Sequence, residues 1–424
     1  MHLFLRSPLN SRNDQSRQSY VVLPEGAPDE LRRKFGVRPD EKLRLVYLSI
    51  ADDAARVQRL WAKGEPDPCS IKPAHAALFF ELVEKLGAEG LMFSGFDTEP
   101  MTDQAVRVER ISKQPNSAPK AKIVEMMSRI EARLAQFAPH AVIITQSMPE
   151  LAIAPISRRY PTLYYQSSLL WPLQWGTERR GLKTRLRKLL RIFRMRRKLQ
   201  YVRGVISTGE DVARQFSVAG PPNIPTGYDI PQFADPYPAA QKHKARRLVF
   251  LSPITEDNRA FDLVKIVQEL SAEVPDVRLT MAGTNGDVIE RLVELVADTP
   301  EITIEPKPSH DRMRALMRDA DLCIASVGER SRYGVPDFLS AADLSGVPSV
   351  VSSNTPVLDD HKPGCLRYSV SDPAALRLAI RSLVLDDQAY QQLVAKVPTT
   401  SDVNFDRNKS FGSEIGRLLL EMAV

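Results

Sequence analysis

Short apolar runs alternate with longer amphipathic stretches along most of the chain. In the first half, apolar runs typical of strands occupy residues 43–50, 90–95, 141–145, 162–166 and 204–208. Stretches with the helical spacing of apolar positions lie between them, at 73–87, 118–138 and near 149–158. The polar segment between Asp53 and residue 73 predicts a loop. Strands that alternate with helices predict an α/β fold built on a parallel, doubly wound sheet.

A proline-rich segment interrupts this alternation and divides the chain. Six prolines fall within residues 219–240, a density that excludes a long helix or a central strand and predicts a linker. The alternation resumes at residue 247, so we expect two Rossmann-like domains that face a cleft, the default ligand site. The predicted divisions are an unassigned extension (1–42), a first domain (43–218), a linker (219–245), a second domain (246–385), and C-terminal helices (386–424) that could cross back to the first domain.

The composition narrows the class of protein. Hydrophobic residues make up 43% and charged residues 26% of the 424 positions, which excludes collagen-like, disulfide-stapled and wholly disordered chains. The three cysteines form no C-x-x-C pair, and the chain has only six histidines and no clustered pair of acids typical of a metal site. We therefore expect a reducing compartment, no disulfides and no structural metal. No apolar run is long enough to span a bilayer, and the one at the N-terminus is too short for a secretory signal.

Positive charge is concentrated in one segment. The chain has 58 basic and 52 acidic residues, a net charge of +6. Twelve of the basic residues lie between Glu178 and Arg203 with a single acid, so the rest of the chain is mildly acidic. Apolar residues recur there at helical spacing and predict an amphipathic helix over 179–201 with basic faces. These residues are Leu182, Leu186, Leu189, Leu190 and Phe193.

Three interpretations of the basic helix remain open. It could lie on an anionic membrane surface, where each basic residue contributes about 1 kcal/mol. It could pack its leucines on its own domain and leave its arginines in solvent. It could bind nucleic acid, which is disfavoured because no stacking aromatic residues interleave the arginines. The membrane-interface candidates are Trp171, Trp175, Arg179, Arg180, Arg185, Arg187, Lys188, Arg191, Phe193 and Arg194.

The second half carries an ordered set of short motifs. They are Ala282-Gly283 after a strand, the run from Asp319 to Leu322, Ser326 to Glu329, Gly346-Val347-Pro348, and Asp372-Pro373. In this order they resemble the donor-binding domain of GT-B-fold glycosyltransferases, particularly the large retaining group called group 1. Residues 223–233 are similar to the family's Asn-Gly-hydrophobic-Asp linker. The resemblance covers about 220–390, and the first half is similar only in architecture.

The resemblance implies that residues 246–385 bind a nucleotide sugar and that 43–218 face the acceptor. A glycine turn before a helix N-terminus suits a diphosphate, although Asp287 in that turn is equally well explained as a helix cap. Glu329 could accept hydrogen bonds from sugar hydroxyls or be a solvated loop acid. The implied donor-binding residues are Arg259, Gly283, Thr284, Asn285, Pro306, Lys307, Glu329, Tyr333 and Gly334. The catalytic candidates are Glu329, Asp52 and Arg330.

Several positions depart from the family pattern. Ala341 stands where a second glutamate is usual, and Gln146-Ser147 stand where a histidine follows the strand at 141–145. Only one of two expected diphosphate cations is present, as Arg259, so Arg330 or Arg332 would have to supply the other. An inverting enzyme would need a base in the first half. Asp52, Asp53 and His75 occupy suitable positions there, and each is also explained by a structural role.

The leading hypothesis is a glycosyltransferase of the hexosyltransferase type, with retention preferred over inversion. It would transfer a sugar from a UDP- or GDP-linked donor, with Mg²⁺ optional at the diphosphate, to a lipid-linked or polysaccharide acceptor near a membrane. We expect a cytoplasmic protein, peripheral on the inner face of the membrane, with no nucleic-acid partner; the sequence assigns no oligomeric state. The alternatives are a catalytically degenerate GT-B scaffold protein and a sugar-nucleotide epimerase.

Overall fold

The strands of the protein form two parallel sheets. The structure, a computed structural model, describes residues 19–65, 74–96, 98–102, 104–111, 120–171, 173, 182–233, 241–283, 288–328, 334–372, 374–398 and 402–424. Every strand pair within these residues is parallel. The α/β class with two doubly wound sheets is therefore confirmed.

The first sheet has seven strands in the order β3-β2-β1-β4-β5-β6-β7. They are β1 (Arg44–Leu48), β2 (Glu89–Ser94), β3 (Val106–Arg110), β4 (Ala141–Thr145), β5 (Thr162–Gln166), β6 (Gly204–Ser207) and β7 (Thr226–Tyr228). On the central strand, Val46 lies opposite Leu91 on one side and Val142 on the other. The inner residues of the central strands are apolar because helices cover both faces of the sheet.

The second sheet has six strands in the order β10-β9-β8-β11-β12-β13. They are β8 (Arg247–Phe250), β9 (Arg278–Gly283), β10 (Ile302–Pro306), β11 (Leu322–Ala325), β12 (Ser349–Ser352) and β13 (Cys365–Tyr368). In each sheet the strand order reverses beside the first strand, β1 or β8. At such a reversal the connections diverge to opposite faces and leave a crevice at the carboxyl ends of the strands.

Helices cover both sheets. Those of the first half are α1 (Ala27–Lys34), α2 (Ala54–Lys63), α3 (His75–Lys85), α4 (Lys120–Phe137), α5 (Glu150–Arg159), α6 (Leu182–Leu199) and α7 (Glu210–Ala219). Those that follow are α8 (Ala260–Glu273), α9 (Ile289–Leu295), α10 (His310–Asp319), α11 (Asp337–Leu344), α12 (Ala375–Leu385), α13 (Asp387–Val394) and α14 (Phe411–Glu421). A 3-10 turn spans Asp359–Gly364.

The loop predicted after Asp53 is wrong, because α2 occupies its first part. The Asp53 side chain accepts a hydrogen bond from the Arg56 backbone N–H at 3.2 Å and so caps the helix. Gly64 ends the helix in the left-handed conformation, with a φ of 73°. Burial of Ala54, Ala55 and Val57 then stabilises the helix.

The last helix belongs to the core of the first half. Phe411 and Leu418 of α14 are buried among residues of β1, α3 and β5. The segment before α1, part of the extension that the sequence left unassigned, is bound to the same place. The backbone N–H of Val21 donates to the Glu81 carboxylate at 3.0 Å, and that of Val22 donates to Ser413 Oγ at 2.8 Å.

Candidate functional site

The carboxyl ends of both sheets face one cleft of about 540 Å³. Residues that follow β1, β4, β5 and β6 form its first wall, and residues that follow β8 and β11 form its second. Parallel strands end with their carbonyl groups at this edge, and the helices that follow begin there with free N–H groups. The cleft therefore collects polar backbone and side-chain groups from both halves.

A histidine and a carboxylate are bonded to each other in the first wall. His75 begins α3, and Asp229 directly follows β7. His75 Nε2 lies 2.8 Å from Asp229 Oδ2, and the Tyr165 hydroxyl donates to the same oxygen at 2.8 Å. Because the carboxylate accepts both bonds, we assign the proton to Nε2, which leaves Nδ1 of the neutral ring as an acceptor.

Aromatic packing fixes the orientation of this histidine. The His75 ring centroid lies 4.5 Å from that of Phe411 and 4.9 Å from that of Tyr165. Burial raises the pKa of Tyr165 well above its usual value, and the Asp229 charge raises it further. The Tyr165 hydroxyl therefore stays protonated and remains a donor to Asp229.

Asp52 is held in the same wall by a second tyrosine. The Tyr47 hydroxyl donates to Asp52 Oδ2 at 2.9 Å. Burial raises the pKa of Tyr47, and the neighbouring Asp52 charge adds to the effect. The structure thus places the predicted candidate Asp52 in the cleft, whereas Asp53 is used to cap α2.

The end of β4 supplies hydroxyl and amide groups between these two clusters. Ser147 Oγ lies 2.6 Å from Thr145 Oγ1 and accepts a hydrogen bond from the Ile50 backbone N–H at 3.1 Å. Gln146 Oε1 accepts from Gln166 Nε2 at 2.7 Å. Both side chains line the cleft, so Gln146 and Ser147, which replace the usual histidine of the resembled family, are ordered polar groups of the site.

The second wall presents an unsatisfied acceptor. Asn258 lies before α8 and is fully buried, and its Nδ2 donates to the Pro253 carbonyl at 2.8 Å. Its Oδ1 is buried without a hydrogen-bond partner. An unmade bond at a buried acceptor costs about 1–3 kcal/mol. Because Asn258 lines the cleft, a ligand hydroxyl or N–H could satisfy it.

The two walls touch through a glycine. A Cβ atom on Gly334 would lie 1.8 Å from the Ser167 carbonyl oxygen and 2.9 Å from Thr208 Oγ1, both in the first half. Gly283 is equally confined, since its Cβ would lie 2.5 Å from the Ser252 carbonyl oxygen. Gly334 therefore allows backbone contact between the halves, and Gly283 allows the loop after β8 to pack against β9.

The remaining predicted donor residues are placed differently or lie outside the described residues. Arg259 turns to Asp262, with 2.7 Å between Nε and Oδ2. Pro306 ends β10, and Lys307 follows it exposed, with a left-handed φ of 55°. Outside the described residues lie Thr284, Asn285, Glu329, Arg330 and Tyr333.

Solved structures share this fold. No protein-family model and no curated protein sequence matches the chain. The structure of sucrose-phosphate synthase from Thermosynechococcus elongatus is 14% identical, with a TM-score of 0.63 over 90% of this chain and 99% of that one. The fold is GT-B. Anabaena HepE, solved with UDP, and WaaG, a glycosyltransferase of lipopolysaccharide biosynthesis, are each 12% identical with TM-scores of 0.54. HepE aligns over 89% of this chain and 100% of its own, and WaaG over 87% and 98%.

The basic helix α6 presents an apolar stripe on the outside of this GT-B fold. The stripe consists of Leu186, Leu189, Leu190 and Phe193, which are between 50 and 66% exposed. The opposite side of the helix packs on the first half through Met195 and Leu199. Periodicity alone did not distinguish the two sides. The structure shows that the leucine-rich side is the exposed one, so it does not pack on its own domain.

The prediction that Trp171 lies at the membrane interface is wrong. Its side chain is only 4% exposed and belongs to the core beneath α6. Its backbone N–H and carbonyl both bond the Gln215 amide, and Lys188 Nζ lies 5.0 Å from its ring centroid. Trp175, Arg179 and Arg180 lie outside the described residues, as does the side chain of Arg185. Exposed or half-exposed on α6 are Arg187, Lys188, Arg191, Phe193 and Arg194.

The described residues contain neither a metal-binding cluster nor a helix that could span a membrane. Among them, no group of three or more histidine, cysteine or acidic side chains is arranged to hold a metal ion. None of the helices built from them combines the length and the apolar character needed to cross a membrane.

Sequence reasoning missed two residues that line the cleft, Tyr165 and Asn258, and the buried Asp229 that bonds to His75 behind it. Tyr165 and Asp229 stand at the ends of β5 and β7, and strand ends in parallel sheets are where ligands bind. Asp229 is also the acid of the linker motif at 223–233. That rule could have found both. Nothing in the sequence indicates that Asn258 keeps an unbonded oxygen.

Proposed function

We propose that the chain is a glycosyltransferase that moves a sugar from a nucleotide diphosphate to an acceptor at a membrane surface. The observation that carries this proposal is the two-walled cleft, in which ordered acceptors of one half face strand ends and a buried unsatisfied amide of the other. A transfer reaction needs two substrates held against each other, and a site built from two halves meets that need. The GT-B fold supports the same reaction class.

The donor binds to the second half in this proposal. Asn258 Oδ1 would accept from a donor hydroxyl, and Glu329, Arg330 and Tyr333 would contact the sugar and the diphosphate. Thr284 and Asn285 would meet the phosphates, and Pro306 and Lys307 the base. HepE was solved with UDP, which makes a UDP-sugar the first donor to test, with GDP-sugars next and Mg²⁺ as an optional companion of the diphosphate.

The acceptor binds to the first half. His75 is oriented by Asp229 and Tyr165, and its Nδ1 can accept a hydrogen bond from an acceptor hydroxyl. Asp52 is a second ordered acceptor in this wall. We expect retention of the anomeric configuration, and under inversion the same imidazole would serve as the general base. The product anomer, read by NMR, decides between the two.

The exposed stripe of α6 supports a membrane location for the acceptor. Contiguous exposed apolar side chains flanked by arginines are the features of a helix that lies in the interface of an anionic bilayer. We therefore propose peripheral binding of α6 to the cytoplasmic face of a membrane. A lipid-linked or polysaccharide acceptor held there would be within reach of the cleft.

A thermal-shift panel tests the donor part of the proposal. UDP, GDP, ADP, CMP and dTDP are each added in large excess. A nucleotide at about 100 times its dissociation constant stabilises the folded protein by about 2.7 kcal/mol, several degrees for domains of this size. A shift with one nucleotide selects the donors for transfer assays. Asn258→Ala should reduce that shift.

One observation favours the alternative, a degenerate GT-B scaffold. Among the described residues that line the cleft, none is Lys or Arg, and Arg259 is already paired with Asp262. A departing diphosphate needs positive charge, so transfer depends on Arg330 or Arg332. The absence of a thermal shift with every nucleotide, together with a stable protein partner, would support the scaffold and contradict the transferase.

A further inference from the structure

A second cavity lies beside the cleft, between α6, the start of α5 and the ends of β4 and β5. We name it the side cavity; its volume is about 530 Å³. Gln146 and Ser147 line both the side cavity and the cleft. The two spaces therefore meet at the end of β4, where both side chains are held by hydrogen bonds.

The side cavity combines apolar walls with two basic groups. Its apolar surface comes largely from Ile50, Met148, Leu169 and Leu170, and Leu151, which is exposed, stands at its edge. Its basic groups come from one face of α6, where Arg191, Met195 and Lys198 line the space. Spacings of four and three residues place these three side chains on the same side of a helix.

Lys198 is the more buried of the two basic groups. Its side chain is 12% exposed, and its partner Glu150, 3.3 Å away, is 73% exposed. Burial lowers the pKa of Lys198, and Glu150 only partly opposes this effect. The ammonium group is thus withdrawn from water while its counter-charge is largely solvated. An anion inside the cavity could therefore pair with both Lys198 and Arg191.

The position of the cavity on α6 indicates where its ligand comes from. Arg191 follows Leu190 of the exposed apolar stripe directly, so the wall of the cavity and the proposed membrane-facing surface are two sides of one helix. A ligand with an apolar chain could leave the cavity past Leu151 and remain in the interface that the stripe contacts. A small free anion would make no use of the apolar walls.

We propose that the side cavity binds the head of an acceptor lipid, an amphiphile that carries a phosphate on an apolar chain. The phosphate lies at Arg191 and Lys198, the first part of the chain lies on the apolar walls, and the sugar-accepting group extends past Gln146 and Ser147 into the cleft. The role of this lipid as an acceptor rests on the proposed transferase function, whereas the binding of an amphiphilic phosphate in the side cavity does not.

Calorimetric titration of the whole chain tests the site with three probes. Octyl phosphate, kept below its micelle concentration, is compared with inorganic phosphate and with neutral octyl glucoside. We expect octyl phosphate to bind at least tenfold more tightly than either, because it satisfies both the basic groups and the apolar walls. If inorganic phosphate binds as tightly as octyl phosphate, the apolar chain contributes nothing and the proposal of an amphiphilic ligand is wrong. If octyl glucoside binds as tightly as octyl phosphate, the proposed phosphate contact is wrong.

Variants locate the binding. Lys198→Gln with Arg191→Gln should weaken octyl phosphate about tenfold or more, and Met195→Trp, which fills the cavity, should do the same without a charge change. The matched control, Arg187→Gln with Arg194→Gln on the outer side of α6, should leave octyl phosphate binding unchanged. Octyl phosphate binding that both cavity variants leave unchanged would overturn the site.

The same variants separate this inference from the proposed function. Nucleotide shifts are measured on each folded variant, and the cavity variants should keep them. If no nucleotide binds but octyl phosphate binding depends on Lys198, the transferase fails and the lipid site stands. If UDP binds and octyl phosphate does not, the lipid site fails and the transferase stands.

Discussion

The exposed stripe of α6 allows a direct test of membrane binding. Leu189 and Phe193 are its two most exposed members, at 62% and 66%. Full burial of a leucine or phenylalanine side chain contributes about 1.5–3 kcal/mol, so insertion of the exposed portions of these two would contribute at least about 2 kcal/mol together. Replacing both with glutamine should therefore weaken partitioning into vesicles about 30-fold.

The assay is co-sedimentation with vesicles that contain an anionic phospholipid, at low and high salt. High salt should weaken binding of the wild type, because it screens the arginines, and should weaken the double variant by a similar factor. Leu378→Gln on α12 is the matched control, since this leucine is 60% exposed but lies in the second half. It should bind vesicles like the wild type.

Two results would refute this reasoning. If Leu189→Gln with Phe193→Gln partitions within twofold of the wild type, the stripe does not enter the membrane. If Leu378→Gln weakens binding as much as the double variant does, general hydrophobicity and not α6 is responsible. Both variants should keep the thermal stability of the wild type, since surface substitutions usually change it by less than about 0.5 kcal/mol.

Three further predictions concern the interior and the cleft. Gly334→Ala forces a methyl group onto the Ser167 carbonyl. At about 1–3 kcal/mol of overpacking, this should weaken nucleotide affinity about 5- to 150-fold by calorimetry; unchanged affinity contradicts the contact between the halves. His75→Gln should lower kcat about 100-fold or more and leave nucleotide affinity unchanged, and an equal loss of nucleotide affinity would place the imidazole on the donor side. Burial raises the pKa of Asp343 to about 6, so the contribution of its protonated form to stability is present below about pH 4 and is lost as the pH rises through 6. In urea unfolding, the stability of the wild type relative to Asp343→Asn should therefore fall by up to about 3 kcal/mol from pH 4 to 7. A difference that stays constant with pH contradicts this prediction.

The sequence predicts strands best where apolar runs have sharp ends. The runs at 141–145 and 162–166 match β4 and β5 residue for residue, because both strands are buried on both faces and are bounded by polar residues or proline. The sequence predicts α2 worst. Only a few residues of this helix are buried, and nothing in the sequence distinguishes its capping residue, Asp53, from the polar residues around it. β3, on the edge of its sheet, alternates two valines with charged residues and contains no apolar run, so the sequence does not predict it.

The candidate site was harder to predict because its parts are distant in sequence. His75 and Asp229 are separated by 154 positions. Arg259, one of the donor-side residues that the family resemblance implies, is paired with the neighbouring Asp262. Pattern analysis identifies strand ends but not which side chains pair across them. The same limit applied to α6, where spacing identified the apolar stripe and only the fold shows that it faces outward.

The place of α14 has a consequence for how the protein is made. Its Phe411 packs against Tyr47, His75 and Tyr165, so the first half lacks part of its core until that helix has been synthesised. At about 5–20 residues per second, the ribosome needs roughly 10–40 s to travel from β7 to α14. During this interval the nascent first half exposes the apolar surface that α14 later covers. The imidazole of His75, which we place at the acceptor, packs against Phe411 only after α14 has emerged.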